Sequence, residues 1–167
     1  NYDFLGNAIN YYLTSSSNDR PSQGYENAII GAGLNTTFEQ YNDVFTTFGL
    51  NAAHDDLQTQ NTASASLKKQ SGTYNELSGL IGFTFDKRNR TFMPTDGSII
   101  SFRQSLPIYA DKSFIANTLS SSSYKTITEN VIGAGKIYLS AINGLGSDDV
   151  RLSKRTALSS RRLRGFE

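Results

Sequence analysis

Seven stretches of this chain alternate apolar and polar residues with a period of two, and this pattern constrains the fold more than any other feature. In residues 77–86, for example, Ile81, Phe83 and Phe85 fall on one face and Thr84 falls on the other. Because side chains point alternately to the two faces of a β-strand, the pattern predicts strands, and no segment keeps the helical period of 3.6 residues. The predicted strands lie at residues 7–14, 27–36, 44–53, 77–86, 98–108, 114–124 and 130–142. The predicted fold class is therefore all-β, an antiparallel meander sheet of about seven long strands.

The composition agrees with a single domain of β structure that has a polar face. The chain has 167 residues and a net charge of +1, and its charged fraction of 19% is below the roughly 25% of an average soluble domain. The near-zero net charge gives no overall field to recruit polyanions. The absence of cysteine excludes a disulfide framework, a cysteine metal site and a thiol nucleophile.

The predicted connections alternate in length along the chain. Long links are predicted at residues 15–26 and from about 54 to 74, and shorter ones after the second and sixth strands. Long loops on one side, short turns on the other and strands of about 9–11 residues are typical of outer-membrane barrels. Aromatic residues near the short links fit an interfacial girdle. These are Tyr2, Phe4, Phe38, Tyr41, Phe92 and Tyr124. A soluble β-sandwich also alternates, although its strands are usually shorter.

The clearest turn signal is "FMPTDGS" at residues 92–98. Pro94 presets φ for the second position of a turn, Thr95 follows, Asp96 can bond nearby backbone, and Gly97 can take a positive φ. The residues alone predict a tight turn between two strands.

Two stretches together resemble a known family. "GFTFDKRNRTFMPTDGSIISF" (82–102) and "LRGFE" (163–167) resemble, in order and spacing, two motifs of the bacterial surface antigen family, and the turn is closest to its BamA-type assembly factors. The resemblance implies a sixteen-stranded barrel of the bacterial outer membrane, of which these strands are about five to eleven. Residues 1–167 are then a partial transmembrane β-barrel domain. Residues 144–167 begin a long basic loop, cut by the end of the chain, that folds into the lumen.

The resemblance also implies roles for two motifs. Pro94 to Gly97 form a periplasmic turn motif, and Leu163, Arg164, Gly165 and Phe166 form a luminal loop motif. Arg164 pairs in the family with an acidic residue on later strands, Gly165 allows close packing, and Phe166 packs against the wall. The implied function is non-enzymatic folding and insertion of β-barrel proteins, without a cofactor. The implied partners are nascent outer-membrane proteins, assembly lipoproteins and outer-membrane lipid. A secretion or TamA-like transporter of the same family is the alternative, and a soluble β-domain that binds carbohydrate or protein is the second alternative.

Other charged residues suggest little chemistry. Six cations lie between residues 151 and 164, and we interpret them as a solvated or luminal loop. Lipid contact is an alternative; nucleic acid is not expected, because residues 150–165 contain no aromatic residue to stack on bases. His54, Asp55 and Asp56 are interpreted as part of a polar loop, and neither a metal site nor catalysis is expected. Seven strands leave two open edges, so edge-to-edge association between copies is possible.

Overall fold

The fold is one antiparallel sheet whose strands follow each other in chain order. The computed structural model describes residues 2–4, 7–21, 24–61, 63–146 and 148–155. The strands are β1 (Tyr2–Phe4), β2 (Asn7–Arg20), β3 (Tyr25–Tyr41), β4 (Val44–Thr59), β5 (Gly72–Asp86), β6 (Gly97–Ala110), β7 (Phe114–Thr128) and β8 (Val131–Gly144). Each strand pairs with the next, so that β1 and β8 are the edge strands of the sheet. The described helices are α1 (Ala65–Lys68) and a 3-10 turn at Leu152–Lys154. Neither has the length and apolarity needed to cross a membrane.

The structure confirms the all-β meander and its seven long strands, which here are β2 to β8. Three-residue β1 is an addition that the alternation did not indicate. The sheet curls into a half-barrel.

The predicted long links are shorter in the structure, at residues 21–24 and 60–71, because the strands continue into polar sequence. Residues 15–20 belong to β2 and pair with residues 25–30, and residues 54–59 belong to β4. Backbone pairing does not require apolar side chains, so the polar residues continue the ladder instead of ending it. The links after β2, β4 and β6 lie at one end of the sheet, here called the loop end. The links after β3, β5 and β7 lie at the other, here called the turn end; two of these are the two-residue links 42–43 and 129–130.

The two faces of the sheet differ sharply in chemistry. On the apolar face, Phe83, Phe102, Leu119 and Leu139 are paired in a row across four strands. The next paired row lies on the polar face and consists of Gly82, Arg103, Thr118 and Ser140. This is the alternation that a barrel wall between lipid and water requires.

Crowding shows which face is concave. A Cβ added to Gly33, on the polar face, would lie 2.4 Å from the Tyr12 ring. A Cβ added to Gly135, on the apolar face, would meet nothing within 4 Å. Along β3, polar-face residues such as Asn27 are also less exposed than apolar-face residues such as Ile30. Side chains therefore converge on the polar face, as they do on the inner side of a curled sheet.

Candidate functional site

Two carboxylates occupy neighbouring strands on the polar face near the loop end. Asp55 of β4 pairs in register with Tyr74 of β5, and Ala53 pairs with Glu76, so that Asp55 and Glu76 lie on the same face. Asp55 is fully buried and Glu76 is 7% exposed. Burying two like charges side by side is unfavourable unless cations and hydrogen-bond donors compensate them.

The compensation comes from the chain after β8, which folds back across the polar face. Nη1 of Arg151 lies 3.5 Å from Oδ2 of Asp55, and its Nη2 donates to Oε2 of Glu76. Lys154 donates to the other Glu76 oxygen, and the Ser153 hydroxyl donates to Asp55. We call Asp55, Glu76, Arg151, Ser153 and Lys154 the ionic cluster; two positive and two negative charges balance within it.

Neighbouring side chains complete the surroundings of the guanidinium. The carbon Cζ of Arg151 lies 4.8 Å from the centroid of the Tyr74 ring and 5.9 Å from that of Phe114. Asn27 of β3 donates to the second oxygen of Asp55 at 3.3 Å. Arg151 is 3% exposed, and its Nε has no hydrogen-bond partner among the described residues. The site thus joins strands β3, β4, β5 and β7 to one arginine.

A second contact fixes the start of the same segment. The Asp148 carboxylate accepts the backbone N–H of Ser113 at 3.1 Å and the Lys112 ammonium at 3.0 Å. The Ser113 amide and then the Lys112 charge hold the pKa of Asp148 below its ordinary value. Further along, the N–H of Leu152 donates to the Gln70 side chain at 3.3 Å. Residues 148–155, here called the docked segment, are therefore held at both ends.

The ionic cluster is arranged to hold the docked segment in place. Each carboxylate oxygen of the ionic cluster already accepts a hydrogen bond or faces a cation, so none is free to act as a base on a bound substrate. A planar, permanently charged guanidinium between two carboxylates fixes the position of the backbone that carries it.

At the turn end, residues 87–96 form a loop that is closed by its own side chains. The Asn89 side chain accepts the N–H groups of Thr95 and Asp96, at 3.2 and 3.3 Å, and donates to the Thr95 hydroxyl at 2.7 Å. Arg88 pairs with Asp86 through Nε and Nη2, at 2.8 and 2.6 Å. Gly97 has φ of +95°, and an added Cβ there would lie 2.0 Å from the Lys87 carbonyl oxygen. We call residues 87–96 the motif loop.

Nearly the whole chain matches one known protein family. The family described as Omp85 superfamily domain matches residues 3–167. The chain belongs to the Omp85 superfamily. Membership indicates a role in inserting or transporting proteins at the outer membrane, and it agrees with the half-barrel and its two-faced wall. Comparison with curated proteins gave no match.

Within this Omp85 domain, the interpretation of residues 54–56 as a polar loop was wrong. All three lie in β4, and their side chains alternate between the faces. His54, on the apolar face, lies 2.7 Å from Asn75 through Nδ1 and Oδ1. Asp55 enters the ionic cluster instead. The period-2 alternation, continued past Ala53, could have assigned Asp55 to the polar face.

The described cations of the basic segment differ in their exposure to solvent. Arg151 is buried, Lys154 is half-buried and Arg155 is exposed. Arg151 and Lys154 pair with Asp55 and Glu76, partners that the sequence did not indicate, and the luminal path of residues 144–167 remains a prediction. The predicted loop motif, Leu163 to Phe166, lies outside the described residues, and its role remains a prediction.

The predicted turn motif of the Omp85 domain lies in a larger structure than expected. Gly97 has the positive φ that was predicted. The connection is a loop of residues 87–96 and not a tight turn, because β5 ends at Asp86 and β6 begins at Gly97. Pro94, Thr95 and Asp96 lie in its second half, and Asn89, which sequence reasoning missed, links the two halves.

Proposed function

We propose that this domain is the central part of a BamA-type assembly barrel that folds and inserts β-barrel proteins into the bacterial outer membrane. The observation that carries the proposal is the ionic cluster. It fixes the docked segment on the concave, polar face, so that the first residues after β8 lie on the interior side of the wall. Breaking a buried ion pair by removing one partner costs on the order of 3–5 kcal/mol.

A segment held against the inner wall favours insertion at the wall over passage through the lumen. A transporter that secretes a polypeptide through the barrel must move such a segment out of the path. An assembly factor that acts on strands in the membrane works with its interior closed. The ionic cluster, balanced in charge and buried, supports the closed arrangement.

We propose that the two faces of the sheet have different surroundings. The apolar face contacts lipid, and the polar face lines the water-filled interior. Among the described residues, the edge strands β1 and β8 each pair with another strand on one side only. Because unpaired backbone groups are unfavourable in lipid, we propose that further strands of the same barrel complete the wall. Nascent outer-membrane proteins and assembly lipoproteins are the proposed partners, and the mechanism needs neither a cofactor nor covalent chemistry.

The test is depletion of the intact protein in the bacterium that encodes it, with two readouts in the same cells. Folded outer-membrane barrels are measured by their heat-dependent shift in gel mobility, and exported polypeptides are measured in the medium. We expect many unrelated barrels to decrease together, and a plasmid copy of the wild-type gene to restore them. Normal barrel levels with one exported polypeptide retained in the periplasm would support the transporter instead.

A further inference from the structure

The tip of the motif loop exposes two large apolar side chains. Phe92 is 82% exposed and Met93 is 69% exposed, the former among the most exposed large apolar side chains of the described residues. Met93 also has φ of +48°, a left-handed conformation that is uncommon for a residue with a long side chain. These two residues therefore expose most of their apolar surface at the turn end.

The position of the tip is defined, because the base of the loop is fixed by hydrogen bonds. Asn89 joins both sides of the loop, and Thr95 and Asp96 are tied to β7 in turn. The Thr126 hydroxyl donates to the Thr95 carbonyl at 3.0 Å, and Lys125 pairs with Asp96 at 3.0 Å. The exposed pair is thus presented in a defined position at the end of two strands.

Two cations beside the tip lack an acidic partner. Arg88 is neutralised by Asp86, but Lys87 and Arg90 form no ion pair with any residue that the structure describes. Nζ of Lys87 lies 5.6 Å from the centroid of the Phe85 ring, which belongs to the apolar face. One free cation therefore lies at the border of the lipid-facing surface, and another lies two residues before the apolar tip.

We propose that the motif loop anchors the barrel to anionic phospholipid, with Phe92 and Met93 in the boundary between headgroups and acyl chains and Lys87 and Arg90 on the phosphates. An apolar tip with adjacent cations has the composition of an interfacial membrane anchor. Each Lys or Arg near an anionic leaflet contributes about 1 kcal/mol. The inference rests on the membrane-spanning barrel of the proposed function.

The experiment uses a fluorescent reporter, because this chain contains no tryptophan. Phe92→Trp is introduced into the intact protein, which is reconstituted in phosphatidylcholine vesicles with or without phosphatidylglycerol. Fluorescence of the parent protein is subtracted. Quenching is measured with brominated lipids, which reach the membrane, and with acrylamide, which reaches water. Phe83→Trp, on the apolar face, reports whether the wall itself lies in lipid.

We expect brominated lipid to quench the indole introduced at position 92, more strongly when phosphatidylglycerol is present. Combining Phe92→Trp with Lys87→Gln and Arg90→Gln should reduce the ratio of lipid-docked to free loop about fivefold for each cation removed. Arg155→Gln, which removes an exposed cation at the loop end, should leave this ratio unchanged.

If lipid quenches the Phe83→Trp indole, the membrane-spanning barrel is supported. Three results would then contradict lipid anchoring by the motif loop alone. Quenching at position 92 by acrylamide would place the loop in water. Protection from both quenchers would show that protein covers it. Equal quenching with and without phosphatidylglycerol would remove the role of anionic lipid. If the Phe83→Trp indole escapes brominated lipid, the membrane-spanning wall of the proposed function is itself wrong.

Discussion

The motif loop and the docked segment lie at opposite ends of the sheet and are held in opposite ways. Side-chain contacts within the motif loop and with the adjoining Asp86 join residues two to seven positions apart, such as Arg88 with Asp86 and Asn89 with Asp96. Contacts of the ionic cluster join residues 75 to 98 positions apart. The first can form as soon as the local chain bends, whereas the second needs β4 and β5 already paired. The motif loop is therefore a part of the wall, and the docked segment is a part added to it.

The two regions also differ in how easily they can leave the sheet. The base of the motif loop cannot move without distorting β5 and β6, which it joins directly. Among the described residues, the docked segment is held by contacts of its side chains and by the Leu152 amide, so breaking a few contacts releases it. If the interior of this Omp85 barrel is ever opened, the docked segment is the element that the structure allows to leave.

The largest expected effect is at Arg151. Replacing it with methionine, Arg151→Met, leaves two buried carboxylates with Lys154 as their one remaining cation. We expect the docked state to lose on the order of 3–5 kcal/mol, so that the segment is released while the sheet remains folded. Limited proteolysis of the intact protein in vesicles should show new cleavage after residue 145, with the heat-dependent gel shift of the barrel retained.

Arg155→Met is the matched control, since it removes a nearby cation that is exposed and bonded to a backbone carbonyl. Arg151→Lys should restore docking only in part, because an ammonium cannot span both carboxylates as the guanidinium does. Equal protease resistance of Arg151→Met and the wild type would show that the cluster does not hold the segment.

Local features of this fold could be predicted from the sequence, and long-range pairings could not. The strands follow from alternation within each stretch, and the positive φ of Gly97 follows from the residues around it. The pairing of Arg151 with Asp55 depends on how far β4 continues and on which way the chain turns after β8. Alternation becomes harder to see once both faces are polar, as in residues 54–59, so the ends of the strands were placed too early. Arg151 itself was one of six cations that no local signal distinguished.

A smaller effect is expected at the motif loop. Gly97→Ala forces a residue with a Cβ into φ of +95° and brings that Cβ within 2.0 Å of the Lys87 oxygen. The unfavourable backbone conformation alone costs about 1–3 kcal/mol, which should lower the free energy of unfolding of the barrel in urea. Because the loop is part of the wall, we expect no selective exposure of the docked segment.

Gly135→Ala is the control for the loss of a glycine from a strand. An added Cβ meets nothing there, and the stability should change little. If Gly97→Ala unfolds at the same urea concentration as Gly135→Ala, the motif loop is not a fixed part of the wall.

The smallest effect is expected at Asp148, whose contact with Lys112 is partly open to water and therefore weak. Its pKa is lowered in the docked state, mainly by the Ser113 amide and then by Lys112. A carboxyl group with a lowered pKa stabilises that state above its ordinary pKa, and this contribution is lost as the pH falls through the lowered value. Hydrogen exchange of residues 145–155, corrected for its intrinsic pH dependence, should therefore increase below the ordinary pKa of 3.8.

Asp148→Asn should already show faster exchange at neutral pH and lack the increase at acid pH, whereas Asp149→Asn should keep that increase. An increase at acid pH that persists in Asp148→Asn would assign the pH dependence to another group and leave Arg151 as the main attachment of the docked segment.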